Sequence, residues 1–179
     1  MRRTAAVAIA IFREPPHGIV FVERARHLRD HPGQIGLPGG GTHREDRDLR
    51  ATALRELHEE VGIPPESAAI VAQLPTLRQI RANNFDVTPF VAVVDDVELR
   101  IDPSETAGAF VVPLRTVLED GLRETHVDVG AHRVRSFVLD FEGRRIWGLT
   151  ARILRDFLAA WHDGDLRERV AAQAAGPLP

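Results

Sequence analysis

The sequence predicts an α/β (α+β) sandwich, a curved mixed β-sheet held between helices, and three observations point to it. Apolar runs of strand length are interspersed with stretches of helical apolar spacing along the chain. A glycine turn at 39–41 leads into a carboxylate-rich helix that ends at Gly62. No repeat or low-complexity segment interrupts the pattern.

At 179 residues, 44% hydrophobic and 27% charged, the chain is expected to form one soluble domain over 1–179, with about 176–179 frayed. A net charge of −3 gives no reason to expect nucleic acid or a membrane as partner, so any basic patch for an anionic ligand must be local. All 23 basic residues are arginine and cysteine is absent. A disulfide framework, a thiol nucleophile and a zinc–thiolate site are thereby excluded, which suits a cytoplasmic protein. The opening MRRTAAVAIAIF resembles a signal peptide, but even the later A-x-A triplet, at 8–10, lies inside the apolar run. There is no run of 18 apolar residues to cross a membrane. Composition leaves monomer and homodimer open.

Residues 4–12 and 18–24 are β-rich runs joined by Arg13-Glu14-Pro15-Pro16-His17, the pattern of an antiparallel hairpin. Residues 24–29, RARHLR, gather three arginines ahead of Asp30-His31-Pro32-Gly33, which breaks any helix; composition alone makes this a solvated basic loop. Residues 35–37 form a short apolar step, and Pro38 with Gly39, Gly40 and Gly41 lets the backbone approach a ligand closely. The next helix is expected from about 48 to 61, with Asp46 or Asp48 as cap and Gly62 then Pro64 as stop. Its amino end favours anions. Residues 69–80 and 85–94 are expected as strands of the central sheet around an Ala82-Asn83-Asn84 turn. A loop opens at Asp102-Pro103-Ser104-Glu105, after which 109–114 read as a short buried strand leading into a helix at 114–119. Residues 133–141 alternate as a strand turned at Glu142-Gly143. Residues 148–161 carry helical spacing at Leu149, Ile153, Leu154, Phe157 and Leu158, and a last helix is expected at about 166–175.

On a helical wheel Glu56, Glu59 and Glu60 fall within about a third of the circumference, while Leu54, Leu57 and Val61 line another side. Carboxylates three and four apart stand roughly 5–6 Å from one another, so each disfavours its neighbours' ionisation. The cluster costs stability unless a cation sits on it. Taken alone, the run reads equally as a solvated acidic face.

Residues 55–63, Arg55-Glu56-Leu57-His58-Glu59-Glu60-Val61-Gly62-Ile63, fit R-E-U-x-E-E-x-G-U with U apolar. This resembles the Nudix box of the Nudix hydrolases. The full family pattern, G-x5-E-x7-R-E-U-x-E-E-x-G-U, puts Arg47 at its first glutamate when counted from Gly41 and Asp46 there when counted from Gly40. In the family that acid braces the loop against the helix. Residues 20–40 look like the second signature of the coenzyme A pyrophosphatase branch, L-L-T-x-R-[SA]-x3-R-x3-G-x3-F-P-G-G. Arg24, Ala25, Arg29, Gly33, Pro38, Gly39 and Gly40 match in register, while Val20, Phe21, Val22 and Leu37 depart. PSETAGAFVVPL at 103–114 and RRIWGLTARIL at 144–154 resemble further stretches of the same branch.

The resemblance implies a Nudix-type α/β/α fold, Mg²⁺ or Mn²⁺ as cofactor, and coenzyme A or a derivative as small-molecule substrate, cleaved to 3′,5′-ADP and 4′-phosphopantetheine. Because Mg²⁺ takes few carboxylates beside waters and phosphates, Glu56 and Glu60 are expected as direct ligands with Glu59 beside them. The resemblance adds the Gly40 carbonyl to that metal site. Arg55 is expected to pair with a neighbouring acid and orient it. Arg24 and Arg29, ahead of Arg26, are expected at substrate phosphates, with Gly39 in the facing turn. Two carboxylates compete as general base, Glu59 in the box and Glu105 on the 102–105 loop. The alternatives are a hydrolase of another nucleoside diphosphate conjugate, such as an ADP-sugar or dinucleotide, or of a nucleoside triphosphate, and a Nudix module that binds without cleaving. The presence of all three glutamates favours an enzyme over that module. Four residues after His58 stands Gly62, so H-E-x-x-H zinc chemistry is excluded, and there is no G-x-S-x-G elbow or Walker loop.

Overall fold

The computed structural model describes residues 3–28, 31–78, 85–130 and 132–179. Its strands are β1 (Arg3–Phe12), β2 (Gly18–Arg24), β3 (Ile35–Gly36), β4 (Gly39–Gly41), β5 (Ala68–Gln73), β6 (Leu77–Arg78), β7 (Phe85–Val94), β8 (Thr106–Pro113), β9 (Arg123–Val129), β10 (His132–Phe141) and β11 (Arg144–Trp147). The helices are α1 (Leu49–Val61), α2 (Leu114–Glu119), α3 (Gly148–His162) and α4 (Asp165–Ala171).

The alternation of large and small apolar residues in β1 sets the layers. Ile9 and Ile11 belong to the main core with Ile153, Leu154, Phe157 and Trp161 of α3 and with residues of α2 and α4. Ala6, Ala8 and Ala10 point the other way, against Ala53, Leu57 and Val61 of α1. Successive strand residues face opposite sides of a sheet, and alanine lets a helix approach its backbone. The mixed sheet therefore lies between α1 and the group α2, α3 and α4, as expected from the sequence.

The main sheet runs in the order β3-β2-β1-β7-β5, with β8 on β2, β4 on β1 and β6 on β7. β1 is parallel to β7 from Arg3↔Phe85 to Phe12↔Val94. On its other edge β1 meets β2 at Ile11↔Ile19, and the two strands then diverge. Residues 35–41 fill the wedge between them. β3 pairs with Val22 and Glu23, the Pro38 carbonyl accepts from the Ala8 N–H at 2.8 Å, and β4 completes the crossing on Ala5, Ala6 and Val7. The glycine turn is thus a strand, brought beneath α1.

Several elements differ from expectation. The strand expected over 69–80 is broken into β5 and β6, both on β7, because Pro75 between them has no N–H to donate. The expected 82–84 turn lies outside the described residues. β8 begins at Thr106 rather than 109 and is mostly half-buried, since it lies at the edge of the sheet. β9 and β11 flank β10 in a separate three-stranded sheet, packed on α3 with Leu139 and Ile146 in the main core. β9, RETHVDV, is polar at all but two positions, so it carries no apolar alternation to read. α4 ends at Ala171 rather than 175, and the Ala175 N–H instead donates to Arg13 in the β1–β2 turn. Leu178, within the stretch expected to fray, is half-buried against the main core. No helix among the described residues is long and apolar enough to cross a membrane.

Candidate active site

α1 starts where the Asp48 side chain accepts from the Ala51 N–H at 2.8 Å and stops where Gly62 turns left-handed at φ 74°. Between these ends its sheet-facing side carries Thr52, Ala53, Glu56, Leu57, Glu60 and Val61. The wheel grouped the three glutamates on one acidic face, and the structure divides them. Glu56 and Glu60 are 6% and 4% exposed, in line with the core residues, whereas Glu59 points to solvent. The cause is β4. A Cβ on Gly40 would stand 2.5 Å from the Glu56 carboxylate, so the absent side chain leaves the space the carboxylate fills. The Gly39 N–H donates to Glu60 Oε2 at 2.9 Å.

Burial raises the pKa of Glu60 to about 7, against the Gly39 hydrogen bond and the positive charge of Arg24, and the charges of Glu56 and Glu105 push the same way as burial. Burial also raises Glu56, partly offset by Arg55, with the charges of Glu59 and Glu105 adding to the rise. Glu105 is itself exposed, at the head of β8, yet its charge acts on both buried acids. The structure thereby brings Arg24, Glu56, Glu59, Glu60 and Glu105 into one electrostatic neighbourhood with Gly39 and Gly40. The Arg26 side chain is 86% exposed and pairs with Glu23 at 3.9 Å. Arg29 lies outside the described residues.

Arg55 uses every donor it has. Nε and Nη2 each bond the Asp46 carboxylate at 3.1 Å, Nη2 also reaches the Gly41 carbonyl at 2.9 Å, and Nη1 bonds Glu56 at 2.8 Å and Glu59 at 2.7 Å. Burial opposes the charge on Arg55, but these bonds outweigh it and hold the pKa above its ordinary value. Asp46 in turn accepts from the His43 N–H at 2.8 Å and from Thr52 Oγ1 at 2.9 Å. The Asp46 side chain is 7% exposed and that of Arg47 is 85% exposed. Asp46 is therefore the acid that braces the loop on the helix, and Thr52 is a brace that spacing did not single out; its signal is a hydroxyl on the buried face of the helix.

Hydrogen bonding by Arg55 holds the Asp46 carboxyl well below the usual carboxylate range, despite burial. A lowered pKa stabilises the fold above the ordinary aspartate value near 3.8, and the contribution is lost as pH falls below it. Asp46→Ala is expected to cost about 3 kcal/mol at neutral pH, because it strands two donors of a largely buried guanidinium. Urea unfolding at pH 7 and pH 3 checks this, with the gap between variant and parent narrowing at pH 3.

Among the described residues, no three histidine, aspartate or glutamate side chains are gathered closely enough to hold a metal ion as they stand. Arg55 engages Glu56 and Glu59, and Gly39 engages Glu60. The donors still fit a hard cation. Two buried carboxylates repel each other beside half-buried glycine backbone, and Mg²⁺ binds through one or two carboxylates, its other positions going to waters and phosphates.

The NUDIX domain family model matches residues 1–132. The chain belongs to the Nudix hydrolase family. The protein named uncharacterized Nudix hydrolase NudL, from Enterobacter sp. (strain 638), is 37% identical over 159 residues, covering 87% of this chain and 81% of its own. Among solved structures, a Caenorhabditis elegans Ap4A hydrolase binary complex has a TM-score of 0.59 at 15% identity, over 90% of this chain and 98% of that one. The NUDIX domain of Shewanella oneidensis NrtR, complexed with ADP ribose, has a TM-score of 0.53 at 21% identity, over 66% of this chain and 77% of that one. The two structures share the Nudix fold. Nudix hydrolases act on nucleoside diphosphate derivatives and generally use divalent ions such as Mg²⁺ or Mn²⁺.

Proposed function

We propose that this Nudix hydrolase is a divalent-cation-dependent pyrophosphohydrolase of coenzyme A or an acyl derivative, releasing 3′,5′-ADP and 4′-phosphopantetheine or its acylated form. The observation that supports it is the placement of Arg24, a matching residue of the coenzyme A signature, where its charge acts on Glu60. Glu56 and Glu60, with Glu59 beside them and the Gly40 carbonyl, hold the cation. When bound, the cation neutralises the diphosphate and lowers the pKa of water toward neutrality. Arg24 and Arg29 contact substrate phosphates, for which planar guanidinium groups are well matched. Arg55 fixes Glu56 and Glu59 through the Asp46 brace. Glu105, exposed and within electrostatic reach of the buried acids, takes the proton from the attacking water.

A panel of coenzyme A, ADP-ribose, NADH and a nucleoside triphosphate, with products read by mass, tests the reading. Coenzyme A is expected to be the best substrate, and ADP-ribose, the ligand of the NrtR domain, is the control. Arg24→Gln is expected to raise KM for coenzyme A by roughly tenfold, the scale of one charge-assisted hydrogen bond. For the analogue lacking the 3′-phosphate the rise should be less than about twofold. Equal effects on both substrates would remove the proposed 3′-phosphate contact.

A further inference from the structure

The pairing of β2 with β8 continues past the end of both strands, toward the acidic site. The ladder is regular from Gly18↔Pro113 to Glu23↔Gly108, then slips so that Arg24 faces Thr106 and Ala107 is left over. Such a bulge bends a strand and re-aims the side chains beside it. Beyond the slip the Ala25 N–H donates to the Glu105 carbonyl at 2.9 Å, and His27 Nε2 bonds the Ser104 carbonyl at 3.0 Å. A carbonyl only accepts, so Nε2 carries the proton in this contact.

The turn that carries Glu105 is otherwise held from within. Asp102 accepts from the Ser104 N–H through its side chain and from the Glu105 and Thr106 N–H groups through its carbonyl. Thr106 is anchored in the buried start of β8, whereas Ser104 and Glu105 are exposed. Among the described residues, His27 ties the 24–28 segment to this turn by a side-chain hydrogen bond. His27 falls at a free position of the coenzyme A signature, so the motif assigns it nothing.

We propose that His27 is a positioning residue, tying the Ser104–Glu105 turn to the segment that bears Arg24, so that the phosphate-binding arginine and the base reach the substrate as one unit. Its catalytic part rests on the function proposed above. Its structural part does not.

The test has three arms. Hydrogen exchange of the substrate-free protein, followed in a peptide spanning 102–108, is expected to speed up at least about threefold in His27→Ala. His27→Gln places an amide N–H near the Nε2 position, and should restore parent-like exchange. With the best substrate of the panel, His27→Ala is expected to lower kcat roughly tenfold, on the scale of a misplaced reacting group, with KM changed less than about twofold. In a double-mutant cycle, His27→Ala should have no further effect on kcat once Glu105 is glutamine. Unchanged exchange overturns the tether. Faster exchange with unaltered kcat overturns its role in turnover, and so does a full tenfold effect retained in the Glu105→Gln background. If nothing in the panel is cleaved the proposed function falls, and the exchange arm still decides the tether.

Discussion

Glu60→Gln and Glu56→Gln are each expected to lower kcat by about 10³-fold or more at saturating Mg²⁺, on the scale of losing a preorganised electrostatic contact. Glutamine keeps the shape of either side chain and removes the charge a cation needs. The two variants should also differ from ordinary inactive mutants in stability. For Glu60 the ionised form is the costly one in the folded protein, because burial dominates its environment. Below the ordinary glutamate value of 4.5 the group is protonated whether folded or unfolded, and no penalty applies. As pH rises from there to about 7 the unfolded chain ionises first, so the metal-free parent loses stability. Glu60→Gln should therefore flatten that decline and melt above the metal-free parent at pH 8. Scanning calorimetry with EDTA, beside a saturating-metal assay, reads both effects. Near-parental turnover in both variants would dismiss the metal assignment.

Glu105→Gln is expected to lower kcat by at least about tenfold, and up to 10²–10⁴-fold, the range for losing a proton-transfer partner. Metal affinity should be nearly unchanged, because Glu105 is exposed on the turn before β8 while Glu56 and Glu60 are buried on the sheet-facing side of α1. Glu59 is the competing base, and its carboxylate is held by Arg55 Nη1 at 2.7 Å, which restrains it. A kcat within twofold of the parent would return the role to Glu59. Isothermal titration with Mn²⁺ separates a lost base from a lost ligand, since only the latter shifts the binding curve.

How much of this was legible in the sequence differs from residue to residue, and the division follows the range of the forces involved. The helix cap and stop are local signals: of the two aspartates expected as cap, Asp48 serves, and Gly62 stops the helix as expected. The burial of Glu56 and Glu60 was not legible, because a wheel treats the helix alone and β4 decides the matter from across the wedge. The choice between Asp46 and Arg47 turns on one loop residue, and spacing could not make it. The His43 backbone and Thr52 hydroxyl make it, by drawing Asp46 inward. β9 escaped notice for the opposite reason, since its order comes from hydrogen bonding to β10 rather than from apolar pattern.

The parallel pairing of β1 with β7 has a consequence for biosynthesis. Arg3 and Phe85 are partners 82 residues apart in the chain. At about 5–20 residues per second, a ribosome takes roughly 4–16 s to travel that distance. During the wait β1, apolar on both faces over most of its length, has the β1–β2 hairpin within reach, and that hairpin joins it only at Ile11↔Ile19. An open, uncharged strand edge is a template for pairing with another chain. The strand at the centre of the finished sheet thus spends that interval on the polysome without its main neighbour. Slower translation across residues 13–94 lengthens the time that this edge stands open to other chains.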